Sequence, residues 1–352
     1  MITIRQRLGK IKKRSATNRT RRRESKRGRI TLKKFQGQTT CTQKLLEQAA
    51  ISFNQGFDAG YDDAWLKSMQ SATGEVPKKS NDKGYLNGVY DGGDGIVDTI
   101  LPELDILPDI SVQQIILAGL EQMRPQMHKL LSATEISEQL IHAMNTRTPL
   151  SIVRLGDGEL LTLAQEVVMN GDTLRKEGHF LDYAGVHLPD LFARDQLVQA
   201  IRKADIVGIP KLRLPNFQPL AFTTFRAHGI DFRQLRLTLS TINYAIYSEG
   251  LFRSILANRR VLLVGNSSPE LAPVLSNSGI HVAGTVSPVN GIPDIQRVMG
   301  EISAHDFDIA LVGAGVPAVI IVQRIASELG KVAIDFGHLA DSFVNGEATL
   351  SG

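Results

Sequence analysis

The sequence predicts an α/β fold with a doubly wound, largely parallel sheet, preceded by a mainly helical region and a basic, disordered tail. Three observations lead to this prediction. From residue 132 onward, short apolar segments alternate with helical stretches, which is typical of a parallel sheet covered by helices on both faces. Residues 41–131 show mainly helical patterns with recurring small residues. Residues 1–34 contain a large excess of basic side chains.

The basic tail dominates the charge distribution of the chain. Fifteen Lys or Arg and one acid lie within residues 1–34, which therefore carry +14 and leave −10 on the rest, for a net charge of +4. A nucleic-acid-binding protein should carry its positive charge on the folded surface that makes the contacts, which argues against this function for the whole protein. We predict disorder over residues 1–40 and association with an anionic membrane or an acidic partner. RNA binding and nonspecific attraction are the alternatives.

The composition is that of a globular protein. Hydrophobic residues make up 42% of the chain and charged residues 22%, which excludes global disorder. The one cysteine, Cys41, cannot form an internal disulfide. No apolar run reaches the roughly 18 residues that span a bilayer, and no apolar signal-peptide segment follows the basic start. We therefore expect a cytoplasmic protein, with the tail as a means of peripheral attachment to the inner face of the membrane.

The region from 41 to 131 is predicted to be mainly helical and glycine-rich. Helical patterns cover residues 41–70 and 84–125 and are separated by a polar stretch. Small residues recur at every fourth position, which places them on one helix face and allows another backbone to approach closely. These residues are Ser52, Gly56, Gly60 and Ala64, then Gly84, Gly88 and Gly92.

The α/β domain is predicted over residues 132–345, with a short C-terminal tail at 346–352. Ser132 and Glu135 form a capping-box pattern at the start of its first helix, which we expect to end before Pro149. Alternation of short apolar strands with helices predicts a Rossmann-like sheet. The predicted strands are 150–155, 206–209, 261–264, 281–284, 309–312 and 332–334.

Two acids follow the first predicted strand directly. In open parallel sheets, ligands bind beyond the carboxyl ends of the strands. Asp157 and Glu159 lie there, between glycines, and an acid pair at this spacing suits one hard cation that also binds phosphate oxygens. The similar pair Asp306 and Asp308 lies at the amino end of the predicted strand 309–312, and no ligand is expected at that edge of the sheet. The alternative for the first pair is a role in a turn or at a helix start.

Two further strands end in glycine loops that suit an anion. Gly265, Asn266 and Ser267 precede a helix that Pro269 helps to begin, so free backbone N–H groups and the helix dipole would favour a phosphate. The alternative is that Ser268 simply caps this helix.

The second glycine loop also matches a dinucleotide-binding pattern. Gly313, Gly315 and Ala318 have the spacing G-x-G-x-x-A, and Asp335 lies 20 residues beyond Gly315. Only 17 residues follow Asp335, so we do not expect this unit to begin a nucleotide domain. We interpret the loop as a phosphate or diphosphate cradle, with NAD binding as the alternative.

Asp335 and His338 follow the last predicted strand. His338 is a candidate general acid or base, and Asp335 could orient it or hold a ribose hydroxyl. A structural hydrogen bond between the two is the alternative.

These motifs together resemble the GT-D type glycosyltransferases, bacterial enzymes that use a nucleotide-sugar donor and a divalent metal. The resemblance begins at SIVRLGDGE, residues 151–159, with Leu155 where the signature often has an aromatic residue, and extends over roughly residues 132–345. It continues through ADIVGIPK at 204–211, INY at 242–244, VLLVGN at 261–266, IALVGAGVPA at 309–318 and GKVAIDFGH at 330–338.

The resemblance implies a metal-dependent transfer from a nucleotide-sugar, with UDP as the expected nucleotide, to a glycan or glycoprotein acceptor. Asp157 and Glu159 would hold Mn or Mg against the donor diphosphate, and Tyr244 would stack on the base or contact the ribose. The other predicted donor-binding residues are Arg154, Gly156, Asn243, Gly265, Asn266, Ser267, Gly313 and Gly315. The alternatives are a noncatalytic nucleotide-binding scaffold with a nucleic-acid-binding tail, and an NAD-dependent enzyme.

The charge distribution predicts that the tail affects location and not chemistry. We expect deletion of residues 1–34 to leave turnover on a soluble acceptor unchanged and to reduce sedimentation with anionic liposomes at low salt. Each basic residue close to a charged lipid surface contributes up to about 1 kcal/mol, screened by salt. A folded but inactive truncated protein would place the tail in the active site instead.

Overall fold

The computed structural model describes residues 87–88, 90–178, 180–182, 184–211, 213 and 217–350. The chain divides into two units, Met1–Pro125 and Gln126–Gly352. The predicted tail and the predicted helix over 41–70 lie outside the described residues. Among the described residues, no helix combines the length and the apolar character that spanning a bilayer requires.

In the described part of the first unit, residues 87–88 and 90–91 are helical, and two further helices follow. Helix α1 is Asp94–Ile100 and helix α2 is Val112–Gln122, so the helical stretch predicted over 84–125 is interrupted by non-helical residues 101–111. Ser111 and Gln114 form a capping box that begins α2. Every residue of both helices is at least partly exposed.

The described part of the second unit forms a seven-stranded sheet in which every pair of neighbours is parallel. The strand order is β3-β2-β1-β7-β6-β4-β5, which confirms the predicted α/β class. The strands are β1 Leu150–Arg154, β2 Ile206–Ile209, β3 Leu237–Leu239, β4 Arg260–Gly265, β5 His281–Val286, β6 Ile309–Gly313 and β7 Val332–Asp335. Strand β3, a short edge strand, was not predicted.

Helices cover both faces of the sheet. Strand side chains alternate between two cores: Val153 belongs to one and Ile152 to the other. The first core contains residues of α4 Asp157–Ala164, α5 Gly171–Glu177, α6 Leu191–Lys203, α7 Phe217–Ala227, α11 Ile295–Ser303 and α12 Pro317–Leu329. The second contains residues of α3 Ala133–Thr146, α8 Ile242–Ser248, α9 Phe252–Leu256, α10 Ser268–Asn277 and α13 Leu339–Val344.

The ends of the domain are fixed by local contacts. The capping box predicted at Ser132 and Glu135 is present, and α3 ends at Thr146, with Arg147 in the left-handed conformation at φ 55°. At the other end, part of the predicted C-terminal tail packs on the domain. Ala348 is 3% exposed within the second core, and the backbone N–H of Thr349 donates to the Tyr247 hydroxyl at 3.1 Å.

The amino edge of the sheet carries an ion-pair cluster. Asp308 binds the Arg260 guanidinium at 2.7 Å, and Asp306 pairs with the same guanidinium. The Arg260 guanidinium is the main reason that the pKa of Asp308 is lowered to about 2. These acids link β4 to β6 and lie at the edge opposite to the one where a ligand was predicted.

Gly265 ends β4 at a position that excludes a larger side chain. It pairs with Gly313 of β6, and its φ is +135°. A Cβ atom on Gly265 would lie 2.0 Å from the carbonyl oxygen of Gly313, which belongs to the backbone and cannot rotate away. The close approach of these two strands therefore requires glycine.

We expect Gly265→Ala to lower the free energy of unfolding by about 3 kcal/mol, because the new methyl group strains both strands. The matched control is Gly300→Ala in α11, where a Cβ atom would meet nothing within 4 Å. This control should raise the stability by about 0.5–1 kcal/mol, since alanine is the better helix former. Urea denaturation measures both; equal stability of Gly265→Ala and the wild type would contradict the steric argument.

Candidate functional site

A cleft of about 570 Å³ opens at the carboxyl ends of the strands. Its walls are the loops after β1, β4, β5, β6 and β7, together with the α5–α6 connection, defined here as residues 180–182 and 184–187. The cleft brings together most of the residues predicted for the site. These are Arg154, Gly156, Asp157, Glu159, Asn266, Ser267, Gly313, Gly315, Asp335 and His338.

Asp157 and Glu159 occupy the first turn of α4. Strand β1 leads into this helix through only Leu155 and Gly156. Glu159 turns back, and its Oε2 accepts a hydrogen bond from the Gly156 backbone N–H at 2.8 Å. Asp157 is exposed, and its Oδ1 accepts from the Gly158 N–H at 2.9 Å. The two carboxylates therefore differ: one closes the helix start and the other faces solvent.

The environment of Glu159 opposes its ionisation. Burial, reinforced by the negative charge of Asp335, raises the pKa of Glu159 from 4.5 to about 7. The pKa of Asp335 is also raised by burial, although the adjacent Arg154 guanidinium opposes that shift. The buried Asp335 and the partly buried Glu159 therefore share the single positive charge of Arg154.

Arg154 is held by four hydrogen bonds at the end of β1. Its Nη2 donates to Asp335 Oδ1 and its Nε to the Asp335 carbonyl, both at 2.9 Å. Its Nη1 donates to the Ser240 carbonyl at 2.9 Å and to Asn243 Oδ1 at 3.1 Å. The Arg154 side chain is only 15% exposed. Its direction is therefore fixed before any ligand arrives.

Asn243 supports Arg154 and does not line the cleft. It was predicted to contact the donor, but its side chain is fully buried, and its Nδ2 donates to the Phe336 carbonyl at 2.8 Å. The neighbouring Tyr244 is 40% exposed and is not among the residues that line the cleft. The structure therefore does not bring the predicted Ile-Asn-Tyr motif into the cleft.

His338 is not oriented by Asp335, contrary to one of the alternatives drawn from the sequence. The Asp335 carboxylate binds Arg154, whereas His338 is exposed at the start of α13. None of the hydrogen bonds found among the described residues involves the His338 imidazole.

The loop after β4 is held by its own side chains. Asn266 Oδ1 accepts from the Val289 N–H at 2.7 Å, and the Ser267 hydroxyl donates to the Asp341 carboxylate. Gly265 lies behind these residues, outside the cleft lining. The alternative that Ser268 caps α10 is wrong: Ser268 is the first residue of that helix, and its hydroxyl donates to the Gly265 carbonyl at 2.6 Å.

Another segment of the chain binds a backbone N–H group just beyond the glycine loop that follows β6. The Val316 N–H, at the start of α12, donates to the Ala184 carbonyl at 3.2 Å. Gly315 has φ +60°, and a Cβ atom there would lie 2.8 Å from the same carbonyl oxygen. A dinucleotide-binding loop presents such N–H groups to a pyrophosphate, so this contact argues against the NAD interpretation.

The α5–α6 connection was not anticipated from the sequence. It contributes Asp182 and His187 to the cleft, although it lies between two helices and follows no strand. The loop after β5 similarly contributes Asn290 and Gly291. The rule that ligands bind beyond strand ends finds the cleft but gives no signal for a wall built from a helix–helix connection.

The cleft is acidic. Five carboxylates line it, and Arg154 is the one permanently charged cation among the described lining residues. No group of three or more His, Cys, Asp or Glu side chains in the described structure could hold a metal ion. Asp157 and Glu159 nevertheless fit Mg²⁺ or Mn²⁺ bound jointly with a diphosphate, because such ions need one or two carboxylates and take their other ligands from phosphate and water. The five acids are Asp157, Glu159, Asp182, Asp335 and Asp341.

Comparison with known families supports this description of the domain. The sequence model of the GT-D-like family, described as a GT-D fold-like domain, matches residues 131–343. The chain belongs to the GT-D-like family. This GT-D-like domain contains the whole sheet and every wall of the cleft, and its assignment confirms the resemblance seen in the sequence motifs. No curated protein and no solved structure shows significant similarity to the chain.

The raised pKa of Glu159 makes stability depend on pH. An acid whose pKa is higher in the folded protein than in the unfolded chain loses stability on ionising, so stability falls as the pH rises from about 4.5 to about 7. Gln at this position keeps an oxygen for the Gly156 N–H and cannot ionise. We therefore expect Glu159→Gln to be more stable than the wild type at pH 8 by about 2–3 kcal/mol, and nearly equal at pH 4.5.

Urea denaturation across this pH range measures the difference, with Glu135→Gln as the matched control. Glu135 closes the start of α3 in the same way, but its hydrogen bonds with Ser132 lower its pKa. The control should therefore lose stability, relative to the wild type, as the pH rises. A difference between Glu159→Gln and the wild type that does not vary with pH would show that Glu159 ionises normally.

Proposed function

We propose that this GT-D-like protein is a glycosyltransferase that moves a sugar from a nucleotide-sugar donor, with UDP as the expected nucleotide, to a glycan or glycoprotein acceptor. The observation that carries the proposal is the placement of Asp157 and Glu159 in a strand-end cleft beside the fixed guanidinium of Arg154. The family assignment supports the same class of reaction.

The charge of the cleft supports a requirement for a divalent cation. A nucleoside diphosphate would meet five carboxylates and one guanidinium, most of whose N–H groups are already engaged. Repulsion would keep the diphosphate out unless a cation entered with it. Bound by Asp157 and Glu159, Mn²⁺ or Mg²⁺ would act as a Lewis acid that stabilises charge on the leaving diphosphate.

The residues of the chain have distinct tasks in this proposal. Asp157 faces the cleft and is ready to bind a cation, whereas Glu159 must first release the proton that its raised pKa favours. Arg154 directs a fixed positive charge at the donor, and hydrogen bonds to Asp335 and Asn243 prevent it from rotating away. A preorganised charge of this kind stabilises a transition state without reorganisation at the moment of reaction.

Calorimetric titration with UDP, GDP and NAD, each with and without Mn²⁺, tests the proposal. We expect UDP to bind only with Mn²⁺, because the cation offsets the acidic cleft. Preferred binding of GDP would correct the identity of the donor. Preferred binding of NAD, or nucleotide binding without any release of nucleoside diphosphate from sugar donors, would overturn the glycosyltransferase proposal.

Substitution of the two acids tests their assignment as metal ligands. We expect Asp157→Asn and Glu159→Gln each to abolish Mn²⁺-dependent UDP binding and sugar transfer while leaving the fold intact. Chelation should have the same effect and be reversed by added Mn²⁺ or Mg²⁺. The matched control is Asp306→Asn in the acid pair at the opposite edge, which should bind UDP normally. Normal activity of both site variants at saturating metal would exclude the assignment.

A further inference from the structure

The α5–α6 connection places a histidine and a carboxylate together on the wall of the cleft. His187 Nδ1 lies 2.9 Å from Asp182 Oδ1, and both side chains line the cleft. They are exposed at 82% and 75%, so a substrate can reach them. Neither residue belongs to the motifs that link the sequence to its family.

The hydrogen bond defines the chemical state of the imidazole. A carboxylate only accepts hydrogen bonds, so the proton of a neutral His187 ring lies on Nδ1, facing Asp182. The opposite nitrogen, Nε2, then carries the lone pair and can accept a proton. The same relation of carboxylate, imidazole and substrate hydroxyl occurs wherever a histidine acts as a general base oriented by an acid.

The connection that carries the pair is fixed at several points. Leu181 and Val186 are fully buried in the first core. The Ala184 carbonyl accepts from the Val316 N–H, and the Gly185 carbonyl accepts from the Ile292 N–H at 3.4 Å. Gly185 also approaches Gly291 so closely that a Cβ atom on Gly291 would lie 2.7 Å from the Gly185 carbonyl oxygen. These contacts hold the backbone on both sides of Asp182.

The same connection packs against the helix start that carries the acid pair. A Cβ atom on Gly158 would lie 3.7 Å from both Phe180 and Leu181, which is ordinary van der Waals contact. Gly158 stands between Asp157 and Glu159 in the first turn of α4. Leu160 of this helix and Leu181 of the connection also lie in the same core, so the His187–Asp182 pair and the proposed donor-binding acids are carried by two segments that share one core.

We propose that His187, oriented by Asp182, is the general base that activates the acceptor hydroxyl. This inference rests on the proposed glycosyltransferase function. The acceptor oxygen forms a bond to the anomeric carbon of the donor sugar as the bond from that carbon to the diphosphate oxygen breaks. The electron pair of the broken bond leaves with the nucleoside diphosphate, and the hydroxyl proton moves to His187 Nε2. Asp182 then stabilises the resulting imidazolium.

The other histidine in the cleft is less suited to this task. His338 also lines the cleft, but among the described residues no carboxylate is hydrogen-bonded to its ring. The Asp335 side chain that the sequence offered as its partner is engaged with Arg154. His187 is thus the cleft histidine with a defined accepting nitrogen.

The test measures release of UDP from UDP-glucose, UDP-galactose and UDP-N-acetylglucosamine in the presence of Mn²⁺, with water as the acceptor. The donor that the wild type consumes fastest is then used for the variants. We expect His187→Ala to lower kcat about 100-fold with KM and UDP affinity unchanged, because general-base catalysis contributes factors of this size. Added imidazole should restore part of the rate, which no loss of structure would allow. Asp182→Asn should lower kcat without a response to imidazole.

The control variants change one histidine and one aspartate that lie outside the cleft. His281→Ala on β5 and Asp172→Asn on α5 should keep the wild-type rate and show no response to imidazole. A normal rate in His187→Ala would overturn the role of His187 and leave the proposed function standing. A lower rate that is accompanied by lower UDP affinity and is not restored by imidazole would do the same. If the wild type neither binds UDP with Mn²⁺ nor releases it from any donor, the proposed function itself fails.

Discussion

The buried ion pair between Arg154 and Asp335 organises the edge of the sheet at which the cleft opens. It joins the ends of β1 and β7, the neighbouring strands where the two halves of the sheet meet. A buried ion pair is stable only when its remaining hydrogen-bonding groups are satisfied, and here Ser240 and Asn243 supply those partners. Gly337 completes the arrangement, because a Cβ atom there would lie 1.8 Å from the guanidinium.

The junction also supports the proposal that the cleft binds a cation. Burial and the negative charge of Asp335 favour the protonated form of Glu159 and outweigh the opposing effect of the Arg154 guanidinium. Glutamic acid at position 159 lowers the free energy of unfolding at neutral pH. Glutamine would accept the same hydrogen bond from the Gly156 N–H without this cost. Strain of this kind concentrates at functional sites, where binding of the ligand releases it. A divalent cation beside Asp157 is the charge that would do so.

The sequence predicted local structure far better than the contacts of the site. Short apolar runs located strands such as Ile206–Ile209, and the strand-end rule drew attention to the acid pair that lines the cleft. The edge strand Leu237–Leu239 was missed because three residues are too short to show a period. The partnership of Arg154 with Asp335 spans 181 positions, and the sequence instead suggested a local pair with His338. The α5–α6 connection gave no signal, since its role arises from packing against loops distant in the chain.

The glycine loop after β6 shows how one spacing can serve two purposes. Gly313, Gly315 and Ala318 match a dinucleotide fingerprint, yet the backbone N–H beyond Gly315 binds the Ala184 carbonyl. The absence of a side chain at Gly315 allows the backbone of the α5–α6 connection to approach at Ala184, where a cofactor would otherwise bind. The same contact fixes the connection that carries Asp182 and His187. A pattern that suggests a phosphate cradle therefore helps to build a wall of the cleft here, the wall that carries the proposed general base.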